Sequence, residues 1–476
     1  MSARSTAAWG LTTTTTVTTA ALRTCTTTRT GADLASTRRS DPVQRHRAEC
    51  PPPGASSPTS CERNAPVTTF YPAADTVHST LPTPELARLI GPVPVAEFWQ
   101  QHWEQKPLLI NRKSPDYYAD LLTLDGIDEV LSLAGVGLND IRVVVEGKET
   151  PVAELGSGRG RNGTSNALEM LYERYRSGST IVVNSLQERR LSLQRAAGAL
   201  GSELGTRIQM NIYLTPPGSQ GFLPHYDTHD VFIAQVYGSK VWQITEAPYE
   251  LPLANRPHDK SQPAPEVTRE FELCAGDLLY MPRGTVHSGA ANEAASLHVT
   301  IGLHPVVWAQ AIQDEFTRIV AGDGRFRRSL PVGFARDQAV RERLHAECGE
   351  LFDALHEQLS AEKLIADAAA RVTSMGSPPL RHHLQDLEKL PHTEVDTPVR
   401  RRPGVRWQLT VEDGIAGLHF HNKTVRFPAA VAEEVRYVAE QGVDWITGNA
   451  IPGDLDDPGR KTLMRTLLGE GFLTLR

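Results

Sequence analysis

Three residues in the middle of the chain have the types and spacing to hold one metal ion. His225-Tyr226-Asp227 lies between Pro224 and an extended run starting at Val231. Alternate residues of a strand point the same way, so this imidazole and this carboxylate share one face. Alone the pattern is weak, because a chain with 16 His contains about one His-x-Asp by chance. The run Gly276 to His287 adds a turn, a strand, a second turn at Pro282 and a His that opens the next strand. In a jelly roll that distant His returns beside the first pair and completes a two-histidine, one-carboxylate facial triad. Such a set leaves three open positions on octahedral Fe(II), enough for a bidentate 2-oxo acid and O₂. It is too hard and too open for structural zinc. Lone histidines in β-rich segments are usually hydrogen-bonded core or surface residues, and His229, His258, His298 and His304 are assigned to that class.

Lys240 is the next candidate. It follows the Gly238-Ser239 turn, early in a strand whose neighbours Val241 and Trp242 are apolar. A Lys pointing inward there needs an anionic partner, which the distal carboxylate of 2-oxoglutarate would supply. The bland alternative is a hairpin Lys in solvent.

These residues require a β-rich centre to position them. Short β-type runs recur from Arg207 to Leu303, at Ile208–Leu214, Val231–Tyr237, Lys240–Thr245, Thr268–Leu273, Asp277–Met281 and Ser296–Leu303, with turn signals between them. That spacing predicts a sandwich or barrel rather than alternating β/α units. Before it, helices are expected at Pro94–Trp103, Asp128–Ala134, Ala167–Arg176 and Leu191–Leu204, with extended segments at Pro107–Ile110 and Thr180–Asn184. After Trp308 the texture is helical and charged to about Leu390, and Val395–Pro403 reads as a linker. Helices near Ala429–Gln441 and Pro458–Gly469, followed by a strand at Phe472–Leu475, suggest a winged helix.

Composition bounds the class. The chain has 476 residues, 40% hydrophobic and 22% charged, with 49 Lys+Arg against 56 Asp+Glu and a net charge of -7. That balance argues against binding nucleic acid through bulk positive charge. No run approaches the roughly 20 apolar residues of a membrane span. Five cysteines cannot form a disulfide framework in a chain this size, and a reducing, cytoplasmic setting is the simplest reading. The first 80 residues contain 19 Thr, with scattered Arg, Pro and Ser. They bury too little apolar surface to offset ordering and are expected to be disordered. Being Arg-bearing and poor in acids, they faintly suggest a transit peptide, or else translation from a wrongly chosen start.

The run Asn211–Asp227, continuing through Val231–Trp242, together with Pro282-Arg283-Gly284-Thr285-Val286-His287, resembles the JmjC ribosomal oxygenases, Fe(II)- and 2-oxoglutarate-dependent protein hydroxylases. The resemblance is strong from about Val93 to Trp308 and looser beyond. It implies iron at His225, Asp227 and His287, the 2-oxoglutarate tail at Lys240, a cosubstrate contact at Asn211 and a substrate-pocket role for Tyr213. Gly302 stands where the family often carries a Ser that supports the cosubstrate. The fold class expected is α+β: a double-stranded β-helix, or cupin, with flanking helices, a helical dimerisation segment and a C-terminal winged helix. The divisions are 1–80 leader, 81–304 catalytic, 305–395 dimerisation and 396–476 winged helix. The partners implied are a protein substrate, ribosomal in origin and modified on His or Arg, and a second copy of the chain. The uncharged Gly218 tilts the target toward His.

Other readings stay open. The same chemistry could act on a small metabolite or peptide natural product, or remove N-methyl groups with release of formaldehyde. A non-catalytic cupin with a DNA-binding winged helix is a third. Residues 400–476 hold 11 Lys/Arg against 10 Asp/Glu, poor footing for phosphate contacts, and an intact triad argues against inertness. The stretch Val340–Ala370, rich in Leu and Ala at helical spacing, supports a homodimer or an intrachain bundle.

Overall fold

The computed structural model describes residues 78, 81–133, 140–145, 147–151, 163–245, 247–259, 266–376, 378–442 and 444–476. All of the expected leader except His78 lies outside the described residues.

Among the described residues, eleven strands build the centre: β1 (Leu108–Ile110), β2 (Ile141–Val145), β3 (Lys148–Pro151), β4 (Thr180–Val183), β5 (Arg207–Thr215), β6 (Asp230–Tyr237), β7 (Ser239–Thr245), β8 (Arg269–Cys274), β9 (Leu278–Met281), β10 (Val286–Ala291) and β11 (Ser296–His304). They form an antiparallel sheet of order β1-β9-β6-β11-β5-β4-β2-β3 facing a smaller one of order β10-β7-β8. The period-2 alternation of strands decides what each face does. On β5 the apolar Ile208, Met210, Ile212 and Leu214 join Phe232, Ala234, Leu297, Val299 and Ile301 in the main core. The intervening Gln209, Asn211, Tyr213 and Thr215 point the other way, toward the space between the sheets. Strands β6 and β11 are buried along nearly their whole length; β6 reads as a largely apolar run, whereas β11 alternates Leu297, Val299, Ile301 and Leu303 with His298, Thr300 and Gly302. A smaller cluster of Val231, Ile233, Trp242, Ile244, Leu273, Leu279 and Met281 fills part of the space between the sheets.

Among the described residues, five helices flank this centre: α1 (Pro84–Ile90), α2 (Val95–Gln101), α3 (Leu124–Ser132), α4 (Gly163–Arg176) and α5 (Leu191–Leu204). Phe98 of α2 is fully buried and meets Tyr280 of β9 edge-on, with ring centroids 4.9 Å apart. Arg112 clamps the α1 region to β9. Its guanidinium donates to the carbonyls of Leu89, Gly91 and Gly276 and to the Tyr118 hydroxyl, and its backbone N–H donates to Asp277.

After β11 come α6 (Trp308–Gly322), α7 (Gln338–Gln358), α8 (Ala361–Ser374) and α9 (His383–Lys389). The expected helical stretch Val340–Ala370 is built from α7 and α8, which meet at Leu359, and Ser360 caps α8 by accepting from the Lys363 N–H. The last part contains β12 (Val399–Arg401), the hairpin strands β13 (Gln408–Glu412), β14 (Ile415–Phe420) and β15 (Lys423–Pro428), then α10 (Ala432–Glu440), α11 (Asp457–Gly469) and β16 (Leu473–Leu475). A second core of Val399, Leu418, Phe420, Val435, Val438, Leu467 and Phe472 holds it together.

The expected linker Val395–Pro403 is instead integral to this part. Strand β12 pairs with β16, and the buried Arg402 guanidinium is paired with Asp386 at 2.6 Å and donates to the carbonyls of Arg381, Gly471 and Leu473. Composition marked the segment as polar, but these long-range partners satisfy the polarity internally. Among the described residues, no helix is long and apolar enough to cross a membrane.

Candidate metal centre and cosubstrate pocket

His225 and His287 face each other across an antiparallel bridge. The His225 N–H donates to the His287 carbonyl at 3.1 Å and the His287 N–H returns the bond at 2.8 Å. Residues directly opposite in such a pair project from the same face, and the two imidazole centroids are 4.6 Å apart. Each ring is steered by a carbonyl two residues earlier: Nδ1 of His225 lies 2.9 Å from the Leu223 oxygen and Nδ1 of His287 lies 3.0 Å from the Thr285 oxygen. That leaves both Nε2 atoms available as ligands. The Asp227 carboxylate is 3.8 Å from His287 Nε2, and its backbone oxygen accepts from the Gly284 N–H at 3.0 Å. One ligand atom from each of the three residues lies within 4.8 Å of the others, a separation that one hexacoordinate ion bridges.

The protonation states suit a cation. Burial, reinforced by repulsion from His225, pushes His287 down to about 4 despite the Asp227 charge and the Thr285 bond. For Asp227 burial opposes ionisation, but the imidazoles of His287, His229 and His225 together outweigh it and hold the carboxyl below its usual range. At neutral pH His287 therefore presents a lone pair and Asp227 a negative charge, the forms that ligate a metal without first losing a proton.

Lys240 is buried, 4% exposed. Its position follows from register. On β7 and β10, His287 pairs with Ile244, Gly289 with Trp242 and Ala291 with Lys240, so His287 and Lys240 share the inward face. The ammonium donates to Thr215 Oγ1 at 3.1 Å and lies 5.5 Å from the centre of the Trp242 ring. No carboxylate lies within ion-pair distance of it among the described residues, and burial pushes its pKa down to about 7. Two glycines make this placement possible. Gly238 turns the chain into β7 at φ +62°, where a Cβ would meet the Ala295 oxygen at 1.8 Å, so only a residue without a side chain fits. At Gly289 a Cβ would stand 3.1 Å from Lys240 Cε and 3.2 Å from the Trp242 ring.

The triad and Lys240 line one cavity of about 50 Å³, shared with Tyr213, Phe222, Val231, Ile233, Trp242, His298 and Thr300. That is room for a few waters, so it takes a small molecule and the tip of a side chain rather than a polymer. Tyr213 stacks on His298, with centroids 4.9 Å apart and planes 7° from parallel. Burial, with Asp227 adding to it, pushes the Tyr213 phenol up to about 12. His298 differs from its expected bland role: it is buried in this cavity, its Nδ1 has no hydrogen-bond partner among the described residues, and desolvation followed by Lys240 drives its pKa well down. The hydroxyl of Thr300 lines the cavity, while a Cβ at Gly302 would lie 2.8 Å from the His229 ring. Asn211 stands opposite Thr300 in the β5–β11 ladder, but its Oδ1 accepts from the Ser185 N–H and from Gln209 Nε2. It does not line the cavity. His229 and His304 stack on each other outside the cavity, with centroids 4.5 Å apart. Thr215, Trp242 and Gly289 were missed in the sequence, and strand parity counted from Tyr213, Lys240 and His287 finds them; His298 and Thr300 emerge only with the β5–β11 register.

The JmjC domain family matches residues 187–311. Ribosomal oxygenase 1 of Danio rerio is 31% identical over 274 residues, covering 53% of this chain and 47% of its own length. The bifunctional lysine-specific demethylase and histidyl-hydroxylase NO66 of Drosophila erecta is 34% identical over 224 residues, 45% of this chain and 33% of that protein. The chain thus spans about half or less of the length of these curated relatives. Among solved structures, the Escherichia coli ribosomal oxygenase YcfD in complex with cobalt and 2-oxoglutarate aligns over 81% of this chain and 99% of its own, at 16% identity and a TM-score of 0.49. The segment that carries His225, Asp227 and His287 matches the JmjC domain family, and the chain is similar to the ribosomal oxygenases.

Proposed function

We propose that this chain is an Fe(II)- and 2-oxoglutarate-dependent dioxygenase that hydroxylates a protein side chain, a His or Arg of a ribosomal protein, with His favoured. The observation that carries the reading is the pairing of a three-ligand site with a buried, anion-free Lys240 on the same inward face. His225, Asp227 and His287 would hold the iron, and Lys240 with the Thr215 hydroxyl would take the distal carboxylate of 2-oxoglutarate. When bound, the iron and 2-oxoglutarate supply oxidative decarboxylation to succinate and CO₂ and an oxidant able to hydroxylate an unactivated C–H.

The chain's own residues do the rest. Trp242, Val231 and Ile233 give the pocket apolar walls that exclude water and strengthen the contact between Lys240 and an anion. Tyr213 keeps its phenol proton across the physiological range and offers a donor beside the metal ligands to orient the target side chain. Asn211 acts from behind by bracing the Ser185 turn against β5, a positioning role for the cosubstrate end of the pocket. The His preference is supported by the relative named a histidyl-hydroxylase. Mass spectrometry of ribosomal proteins from cells with and without this gene tests the substrate. The expected result is one oxygen lost from a single His or Arg; identical spectra would refute the ribosomal assignment. Formaldehyde release would instead support demethylation, the second activity in that relative's name.

Residues 305–395 are proposed to carry a homodimer interface. Ala354 is the one hydrophobic residue of α7 that is buried. Trp308, Ile312, Phe316, Phe352 and Ile365 on α6–α8 are all exposed, Trp308 by 72% and Phe352 by 69%, and an apolar surface of that kind calls for a partner. Light scattering at twice the monomer mass supports this; monomer mass refutes it. Residues 396–476 are read as a winged-helix-type module, on the order α10, α11, β16, and the cytoplasm is the proposed compartment.

A further inference from the structure

We infer that the cleft between α5 and the C-terminal part binds single-stranded nucleic acid through its phosphate backbone. The cleft has a volume of about 910 Å³ and is lined by α5, by the segment around α9, and by β12 and Trp445. Its charge is sharply different from the chain's net of -7. The lining Asp and Glu side chains are engaged: Glu85 and Asp120 pair with Arg88, and Asp386 pairs with Arg402. Arg195, Arg381, Lys389 and Arg400 also line it. None of these four has a carboxylate within ion-pair distance among the described residues. Sequence counting misses this cluster, because the near-neutral balance of residues 400–476 averages over one segment. The cations come from three: Arg195 from α5, Arg381 and Lys389 from around α9, and Arg400 from β12.

The second feature is an aromatic platform inside the cationic cleft. Trp445 is 37% exposed and the Arg400 guanidinium lies over its ring at 4.5 Å. Arg400 Nε is buried without a hydrogen-bond partner. An exposed indole stacked with an Arg matches the way single strands are held, with bases on an aromatic face and phosphates on nearby cations. An acidic peptide would use the cations and leave the indole unexplained. The cleft is separate from the metal centre, shares no lining residue with its cavity, and the inference does not rest on the proposed hydroxylase activity.

The test is fluorescence anisotropy of the full chain with labelled 12-mers of oligo(U) and oligo(dT), titrated with salt. Four phosphate contacts predict a log–log salt slope of about -3 for a single strand, roughly a 50-fold loss of affinity between 50 and 200 mM salt. The double variant Arg195→Glu/Lys389→Glu changes two exposed side chains and should lose at least tenfold in affinity and flatten the slope. Trp445→Ala should lose at least about fivefold through stacking. All variants should keep wild-type succinate release. A preference between oligo(U) and oligo(dT) tells RNA from DNA. No binding at 50 mM salt, binding untouched by these variants, or displacement of the oligomer by poly-glutamate at equal charge concentration would overturn the inference.

Discussion

Replacing Lys240 with Met should move apo stability and 2-oxoglutarate affinity in opposite directions. In the apo protein the ammonium is buried against Thr215 with no counter-ion, and its pKa falls from 10.5 to about 7. A lowered Lys pKa means that folding favours the neutral form, so the penalty is absent above the unfolded value and grows as pH falls, saturating below about 7. At roughly 1.4 kcal/mol per unit, removing it gives an upper bound on the order of 4 kcal/mol of apo stability at pH 7. Binding reverses the sign. A buried carboxylate left without its cation costs about 3–5 kcal/mol, so 2-oxoglutarate affinity should fall by roughly 10²- to 10⁴-fold. Wild-type Lys240 is about half neutral at pH 7 and about nine-tenths neutral at pH 8 by the same titration. An anion that restores its charge therefore draws in a proton. Calorimetry of 2-oxoglutarate binding to the anaerobic Fe(II)-loaded protein, in buffers of different ionisation enthalpy, should show Lys240-linked uptake rising from about half a proton at pH 7 toward one at pH 8. The Met variant should lose that increment. An affinity within threefold of wild type, with unchanged proton uptake, would refute the assignment of Lys240.

Gly289→Ala places a methyl 3.1 Å from Lys240 Cε; it should cost about 1–3 kcal/mol by overpacking and raise the KM for 2-oxoglutarate, measured by denaturation and initial rates. Arg283→Met leaves the fully buried Asp230 without the guanidinium 2.7 Å away and should cost about 3–5 kcal/mol in urea denaturation; a loss under 1 kcal/mol would contradict the buried-pair account. Tyr213→Phe should lower kcat at least tenfold while leaving the shape of the pH–rate profile unchanged up to pH 10, because the phenol ionises only near 12; removal of a basic limb below pH 10 would contradict it.

The metal ligands were legible because His-x-Asp on an extended segment and a later His after a Pro turn state both chemistry and strand geometry. The centre of the jelly roll was legible because β6 reads as a largely apolar run and β11 as an alternating one, with turn signals between the strands. The polar pocket wall was not, since Thr300 and His298 become meaningful only when the β5–β11 register brings them opposite Asn211 and Tyr213. The sheet β13–β15 went unread although its turns carry a signal: Asp413-Gly414 and His421-Asn422 all have positive φ, the geometry of two-residue hairpins. Arg402 shows the opposite limit. The segment Val395–Pro403 read as a linker, and partners from 16 to 71 residues away bury its Arg402.

The measurement closest to the central claim is Fe(II)-dependent succinate release from 2-oxoglutarate by the full chain, alongside His225→Ala, Asp227→Ala and His287→Ala. The account predicts turnover in the wild type and its abolition in each variant, with the fold retained by circular dichroism. Unchanged succinate release in any of the three would contradict it.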